Sequence, residues 1–211
     1  MTSESALAEA TDVPATDPAT DPATAPDAAS AAPAVRAAGG SAPGTVIAGR
    51  RLRYDPHHCF ACGELNEHGL RIVLHTDGRR TWTQLALDPR FQGWDGIAHG
   101  GILCTLLDEV MAWSVIASDR WGVTARMSVE FKRPVPIAHE LRAEGWVTEP
   151  HRRLIRTAGR ILDAETGETL ATAEGIFMAA PPERLAELKR RYRLRVESDA
   201  ESADTTMGVD P

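Results

Sequence analysis

Two carboxylates, Asp108 and Glu109, interrupt an apolar run at residues 102–117 that contains neither proline nor glycine. A helix that is apolar on nearly all sides is a buried helix. An ionised carboxylate inside a protein core is costly unless it is paired, hydrogen-bonded or neutralised. Either side chain is therefore a candidate for acid–base or nucleophilic chemistry if the fold buries it.

A histidine and two glycines, His99, Gly100 and Gly101, come directly before this run. Two glycines at a helix start allow another group to approach the backbone closely. The N–H groups of the first helical turn have no partner inside the helix and attract negative charge. The sequence therefore predicts an anion site at the start of the helix. We expect His99 to be a turn residue that hydrogen-bonds to the backbone, not the catalytic base.

A second group of reactive side chains lies upstream, where Cys59 and Cys62 are spaced as Cys-x-x-Cys and three histidines are nearby. Structural zinc usually has four ligands, which often come as two spaced pairs. Neither a second cysteine pair nor a His-x-x-x-His motif follows, and free cysteines are commonly buried and inert. We therefore expect buried thiols in a tight turn and no metal, with a zinc-bound accessory unit as the alternative.

The elements that must position these residues are mostly strands. Asp77-Gly78 is a strong hairpin signal between two β-prone runs. The cleanest alternation of apolar and polar residues follows the apolar helix, at residues 125–132, and predicts a half-buried strand. The strands are predicted at residues 70–76, 81–87, 125–132, 141–148, 153–162 and 169–178. Antiparallel strands around one apolar helix predict an α+β fold.

Composition divides the chain into four parts. Residues 1–44 are rich in Ala, Pro, Thr and Asp and predict a disordered tail. Residues 45–180 predict the folded domain, residues 181–195 a basic helix, and residues 196–211 a disordered acidic tail. The net charge is −7 overall but −5 in residues 1–45 and −5 in residues 196–211, so the rest is mildly basic. This distribution argues against a general nucleic-acid binder.

The sequence also indicates the cellular compartment in which the protein is expected. The first residues lack the basic start and apolar core of a signal peptide. The sequence has no apolar run of about 18 residues, so neither a membrane span nor membrane association is expected. An odd number of cysteines fits a reducing compartment. We expect a cytoplasmic protein.

Three segments together resemble the hotdog-fold thioesterases, and among them the phenylacetate-pathway-type acyl-CoA thioesterases. These segments are CFACGELNEHGL at residues 59–70, FQGWDGIAHGGILCTLLDE at residues 91–109 and VEFKRPVPI at residues 129–137. The resemblance covers about residues 50–180. It implies an antiparallel sheet wrapped around one long central helix. It also implies hydrolysis of thioesters of coenzyme A or a carrier protein, without metal or organic cofactor, in a homodimer or homotetramer.

The resemblance assigns roles to four positions. It implies that Asp108 is the nucleophile or the general base that activates water, and that the backbone N–H of Gly100 stabilises the oxyanion. His99 and Gly101 shape the same turn.

The sequence departs from the family at Gly93, where many relatives have Asn or Gln near the thioester carbonyl. Either Gln92, Trp94 or Asp95 supplies that contact, or the site lacks it. Lys132 and Arg133 either contact coenzyme A phosphates, which cationic side chains suit, or are two exposed charges at a strand end.

The spacing of the two implied catalytic groups has a consequence for assembly. Asp108 lies eight residues beyond Gly100, which is roughly 12 Å along one helix. Both groups must lie within about 3 Å of one reacting carbonyl. We therefore expect Asp108 of one subunit to meet Gly100 of another across a two-fold axis.

A non-catalytic hotdog protein that binds acyl-CoA is the alternative function, and a dehydratase on the same fold is a further one.

Overall fold

A computed structural model describes residues 49–198 of the chain. The elements in chain order are β1 (Arg50–Arg53), β2 (His75–Thr76), β3 (Arg80–Ala86), a 3-10 turn (Pro89–Phe91), β4 (Gln92–Trp94), β5 (Ile97–Ala98), α1 (Gly100–Ala117), β6 (Gly122–Phe131), β7 (Glu140–Pro150), β8 (Leu154–Asp163), β9 (Thr169–Ala179), α2 (Pro182–Tyr192) and β10 (Arg195–Ser198). The expectations for residues 1–48 and 199–211 lie outside the described residues.

Within residues 49–198, eight strands form one antiparallel sheet in the order β10-β1-β2-β3-β7-β8-β9-β6. α1 packs against β3, β6, β7, β8 and β9. The predicted α+β architecture, a sheet around one long helix, is therefore confirmed. The sheet buries the apolar side chains of α1, among them Leu103, Leu106, Leu107, Val110 and Met111.

The sheet approaches the helix backbone closely at the middle of β7. A Cβ atom on Gly145 would lie 2.5 Å from the carbonyl carbon of Val110, so a larger residue would push sheet and helix apart. The buried hydroxyl of Thr81 donates a hydrogen bond to the Val110 carbonyl oxygen from the neighbouring strand. These contacts fix the middle of α1 against the sheet.

The hairpin predicted at Asp77-Gly78 joins β2 and β3. Gly78 has a φ of +88°, a conformation that glycine adopts without steric cost. The Asp77 carboxylate accepts hydrogen bonds from the N–H groups of Arg79 and Arg80, which close the turn. The strand before it is shorter than predicted: only His75 and Thr76 are paired as a strand, although Leu70 and Leu74 are fully buried.

α1 is long and apolar enough to cross a membrane by length and composition alone, with a mean hydropathy of 1.5. This was not anticipated from the sequence, because the two carboxylates interrupt the run. α1 packs inside the sheet, and a helix buried in a protein core has the same apolar composition.

The C-terminal part of the described chain differs from the prediction. The basic helix ends at Tyr192, and residues 195–198 form β10, which pairs with β1. The prediction of a tail from residue 196 is therefore wrong for residues 196–198. An ion pair of 2.9 Å between Arg53 and Glu197 joins the two strands, and this long-range contact has no local sequence signal.

Candidate functional site

The start of α1 is capped by the side chain that precedes it. His99 has an extended backbone, and its Nδ1 accepts a hydrogen bond of 2.9 Å from the N–H of Gly101. His99 is thus the backbone-bonding turn residue that the sequence indicated. Within residues 49–198, the N–H of Gly100 makes no hydrogen bond, so it is the donor left available at the helix start.

Asp108 lies on the side of α1 that faces β6. The hydroxyl of Thr124 donates a hydrogen bond of 2.6 Å to its Oδ1. The carboxylate is partly exposed in the single chain, not enclosed in the core. Thr124 was not foreseen from the sequence, because the contact joins residues sixteen apart and depends on how the strand returns along the helix.

The strand β6 runs back along α1 from Asp108 towards the helix start. Thr124 near its beginning contacts Asp108, and the ring of Phe131 at its end lies against Gly100, where an added Cβ atom would be 3.4 Å away. A bulge between Thr124 and Arg126 shifts the alternation of the strand. One strand therefore spans the roughly 12 Å of helix that separates Asp108 from Gly100 within a chain.

The free edge strand β6 carries two exposed large apolar side chains among exposed polar ones such as Arg126 and Glu130. The sheet ends at this strand, so its outward N–H and C=O groups have no neighbouring strand within the described residues. Val123 is 69% exposed and Phe131 is 52% exposed. Phe131 lies in the half-buried strand predicted at residues 125–132, but the single chain does not cover its ring, whereas Met127 and Val129 pack partly against the core.

Gln92 and Trp94 lie on β4, which pairs with β5 as a small two-stranded sheet beside His99. The side chain of Gln92 accepts a hydrogen bond from the Gly96 N–H, and Trp94 is 84% exposed. A Cβ atom on Gly93 would lie 3.2 Å from the Cα atom of His99. A small residue at position 93 thus leaves room for the capping histidine.

Lys132 and Arg133 follow the end of β6, near the start of α1, and both are exposed. Lys132 pairs with Glu130 at 2.9 Å, and Arg133 pairs with Glu168. The two cations therefore have carboxylate partners within the chain and do not form a patch of net positive charge.

Glu109 points to a different part of the fold from Asp108. Its Oε1 accepts a hydrogen bond of 2.8 Å from the indole N–H of Trp113, and its Oε2 lies 3.8 Å from the sulfur of Cys59. Burial, together with the nearby Cys59, raises the pKa of Glu109 to about 7. Asp108 and Glu109 therefore belong to two separate sites on α1.

The cysteine pair lies against this second site. A hydrogen bond from the Cys62 thiol lowers the pKa of Cys59 to about 5, and the same interaction and burial raise the pKa of Cys62. Sequence reasoning identified the pair but not its contact with Glu109, because fifty residues separate Cys59 from the helix.

Comparisons with known proteins show what this chain is similar to. The thioesterase superfamily matches residues 95–170. The crystal structure of protein RHA08564, a thioesterase superfamily protein, has a TM-score of 0.54 and 31% sequence identity over 57% of this chain and 60% of that chain. The acyl-coenzyme A thioesterase THEM4 of Bos taurus is 24% identical over 113 residues, which are 54% of this chain and 46% of that protein.

A further crystal structure, zebrafish thioesterase superfamily member 2, shows likeness of fold alone. Its TM-score is 0.53 at 15% identity, and the match covers 58% of this chain and 92% of that chain. The chain spans about half the length of the curated relatives it matches. The fold likeness and the antiparallel sheet around α1 show a hotdog fold, and residues 95–170 are similar in sequence to the thioesterase superfamily.

Proposed function

We propose that this protein hydrolyses acyl thioesters of coenzyme A, or of a carrier protein, to the free acid and the thiol. The observation that carries the proposal is the pair of groups on α1: a carboxylate held by Thr124, and an available N–H at Gly100. The superfamily match and the acyl-coenzyme A thioesterase among the relatives support it.

The chemistry assigns each group one task. Asp108 attacks the thioester carbonyl carbon or takes a proton from the attacking water. The Gly100 N–H, at the positive end of the helix dipole, donates a hydrogen bond to the oxyanion of the tetrahedral intermediate. The carbonyl then re-forms as the carbon–sulfur bond breaks, and the leaving thiolate takes up a proton, which in the general-base route is the one that Asp108 removed from water. Where Asp108 attacks directly, water then hydrolyses the resulting anhydride, which releases the acid and restores the carboxylate.

A homodimer would bring the two groups together. Asp108 and Gly100 of one chain are separated by roughly 12 Å of helix, which is too far for one carbonyl. Pairing of two copies along the free edge of β6, where Val123 and Phe131 are exposed, would extend the sheet and place the two α1 helices antiparallel. Asp108 of one subunit would then face Gly100 of the other. A homotetramer would be two such dimers.

Four residues around the helix start are proposed to contact the substrate. Gln92 and Trp94 lie on the hairpin beside His99, where the acyl group or the pantetheine arm would pass. Lys132 and Arg133 would bind coenzyme A phosphates by exchanging their present carboxylate partners for phosphate oxygens. Substitution of Arg133 by Gln should then raise KM for acyl-CoA and leave kcat nearly unchanged.

The activity is tested by incubating the purified protein with a panel of short, long and aromatic acyl-CoA thioesters and separating the products by chromatography. We expect hydrolysis of at least one member and a loss of about 10²-fold or more in Asp108→Asn. Asp119→Asn, the same change at an exposed carboxylate just after α1, is the matched control. Binding of acyl-CoA without turnover would instead support the non-catalytic alternative.

The shared site is tested by mixing two inactive variants. Gly100→Pro removes the N–H, while proline suits the first position of a helix and His99 already has the extended backbone that proline requires before it. Gly100→Ala keeps the N–H and has room beside Phe131. Random exchange of subunits between Asp108→Asn and Gly100→Pro should restore about a quarter of wild-type activity, since half of the dimers then hold one intact site.

No recovery in that mixture, with exchange demonstrated by mass spectrometry of the mixed dimers, would contradict a site shared between subunits. Equal activity in Gly100→Pro and Gly100→Ala would contradict the oxyanion role of the Gly100 N–H.

A further inference from the structure

Three side chains that the proposed hydrolysis does not use converge beside α1. The sulfur atoms of Cys59 and Cys62 and a carboxylate oxygen of Glu109 all lie within 4.8 Å of one another. The Cys59 sulfur is 3.8 Å from Oε2 of Glu109 and 4.0 Å from Oε1. Zinc bonds of about 2.3 Å to sulfur and about 2.0–2.2 Å to oxygen place tetrahedral ligand atoms roughly 3.5–3.8 Å apart. The cluster thus needs only small movements to reach coordination distances.

Neighbouring side chains orient the sulfur and carboxylate oxygen atoms of this cluster. Trp113 donates its indole N–H to Oε1 of Glu109 at 2.8 Å, which leaves Oε2 turned towards Cys59. His57 accepts the backbone N–H of Cys59 at its Nδ1, so its Nε2 carries the hydrogen that points to the sulfur of Cys62, 3.9 Å away. Such partners of ligating groups are usual around protein-bound metals.

The turn that carries the cysteines also fits a metal. The backbone N–H of Gly63 donates a hydrogen bond of 2.9 Å to the carbonyl oxygen of Cys59, which closes the turn. The chain folds back so tightly that a Cβ atom on Gly63 would lie 2.5 Å from the Cys59 nitrogen and 2.4 Å from the His57 carbonyl oxygen. The glycine directly after Cys-x-x-Cys is therefore needed for both sulfurs to face the helix.

We propose that Cys59, Cys62 and Glu109 bind a Zn²⁺ ion, which joins the segment before β2 to the middle of α1. Two thiolates favour zinc over magnesium or calcium, which prefer oxygen ligands. The fourth position is filled by water, next to His57. This assignment revises the expectation of a metal-free turn, and it is independent of the proposed hydrolysis because it uses Glu109 and leaves Asp108 facing β6.

The ion would have a structural task. Glu109 is partly buried, and a carboxylate in such surroundings is stabilised by a bound cation. The segment that brings the cysteines also stacks the ring of Tyr54 on Trp113, with 4.6 Å between ring centroids. Metal and aromatic contacts together would fix this segment over the side of α1 that faces away from Asp108.

The test measures metal in the purified full-length chain, independently of activity. Protein expressed with added zinc and purified under reducing conditions should contain about one zinc per chain, since the site supplies three protein ligands. The Cys59→Ser/Cys62→Ser variant should contain less than about a tenth of that, because both thiolates are removed. Cys104→Ser is the matched control, since Cys104 lies on α1 outside the cluster, and it should contain as much zinc as wild type.

Cobalt titration of the wild-type chain gives a second measurement that does not depend on the folding of the double variant. A sulfur-to-cobalt charge-transfer absorption should appear in wild type and in Cys104→Ser. Glu109→Gln, which keeps both thiols, should weaken cobalt binding at least about tenfold, because one charged ligand is lost.

Three results would overturn the proposal. The first is wild-type protein without zinc and without the cobalt absorption. The second is equal zinc in wild type and the double cysteine variant. The third is a Cys59–Cys62 disulfide, found by mass spectrometry of protein prepared with zinc and reductant.

Discussion

Thr124 donates a hydrogen bond of 2.6 Å to Oδ1 of Asp108, and this bond connects the beginning of β6 to the middle of α1. It fixes the orientation of the carboxylate on a helix face that is only partly buried. The other oxygen of Asp108 accepts no hydrogen bond within residues 49–198, so it is the one that a water molecule or a carbonyl carbon could approach. Positioning of the proposed catalytic group thus depends on a strand that is also the free edge of the sheet.

Replacing Thr124 by Val keeps the shape of the side chain and removes the donor. We predict a fall in kcat/KM of about tenfold, the equivalent of roughly 1.4 kcal/mol, which is the size of a hydrogen bond to a charged group. Thr124→Ser keeps the hydroxyl and should stay close to wild type. Steady-state kinetics on the best substrate measure both, and equal rates in the Val and Ser variants would show that the bond does not position Asp108.

His99 is predicted to act through the helix cap and not as a base. His99→Ala should lower the free energy of unfolding by about 1 kcal/mol, the usual cost of losing an N-cap acceptor. His99→Asn supplies a good capping oxygen and should recover most of the stability and of the rate. Urea unfolding and kinetics on the two variants provide the measurement. If His99→Asn were stable but as inactive as Asp108→Asn, a chemical role for the imidazole would follow.

The elements that are specified by neighbouring residues in the chain were predicted from the sequence, and those that depend on contacts between distant residues were not. The hairpin at Asp77-Gly78 and the helix at residues 100–117 are specified by neighbours in the chain, by turn chemistry and by apolar content, and both were predicted. β10 was missed because it forms only by pairing with β1, through contacts such as Arg53 with Glu197 that lie far apart in sequence.

The same reasoning applies to the candidate site. His99 and Asp108 are adjacent to recognisable features, the two glycines and the apolar helix, so both were identified from the sequence. Thr124 and the contact of Cys59 with Glu109 depend on which face of α1 each neighbouring segment covers. The exposure of Phe131 was also missed, because alternation marks an apolar strand face but cannot show whether the same chain covers it.

The two ends of the sheet provide a matched test of the proposed dimer. Val123 on β6 and Val196 on β10 are both exposed valines, and they lie on the two opposite edge strands. Val123→Arg places a charge where two copies would pair, so we predict a shift from dimer to monomer and a parallel loss of hydrolysis. Val196→Arg should change neither.

Light scattering during size-exclusion chromatography gives the mass of each variant, and hydrolysis is measured at the same protein concentration. A monomeric wild type that still hydrolyses thioesters would contradict the shared site. A Val123→Arg protein that remains dimeric would place the interface on another surface.

Asp163 closes the turn between β8 and β9, and it provides a prediction about pH. Hydrogen bonds from backbone N–H groups, that of Thr166 first, lower the pKa of Asp163 to about 2, and His139 adds a further bond to the carboxylate. A carboxyl group with a lowered pKa binds fewer protons in the folded than in the unfolded state between pH about 2 and pH about 4. Its stabilisation is therefore complete above the unfolded pKa and is lost as the pH falls through about 2.

Asp163→Asn should accordingly lower the free energy of unfolding at pH 7 by about 1 kcal/mol, after allowance for solvent screening. The difference from wild type should shrink as the pH falls from about 4 to about 2, because the wild-type carboxylate is then protonated. Urea unfolding across this range measures the difference, with Asp95→Asn, an exposed aspartate on the β4–β5 turn, as the control. A difference that stays constant with pH would mean that the asparagine disturbs the turn by its shape and that the charge of Asp163 contributes nothing.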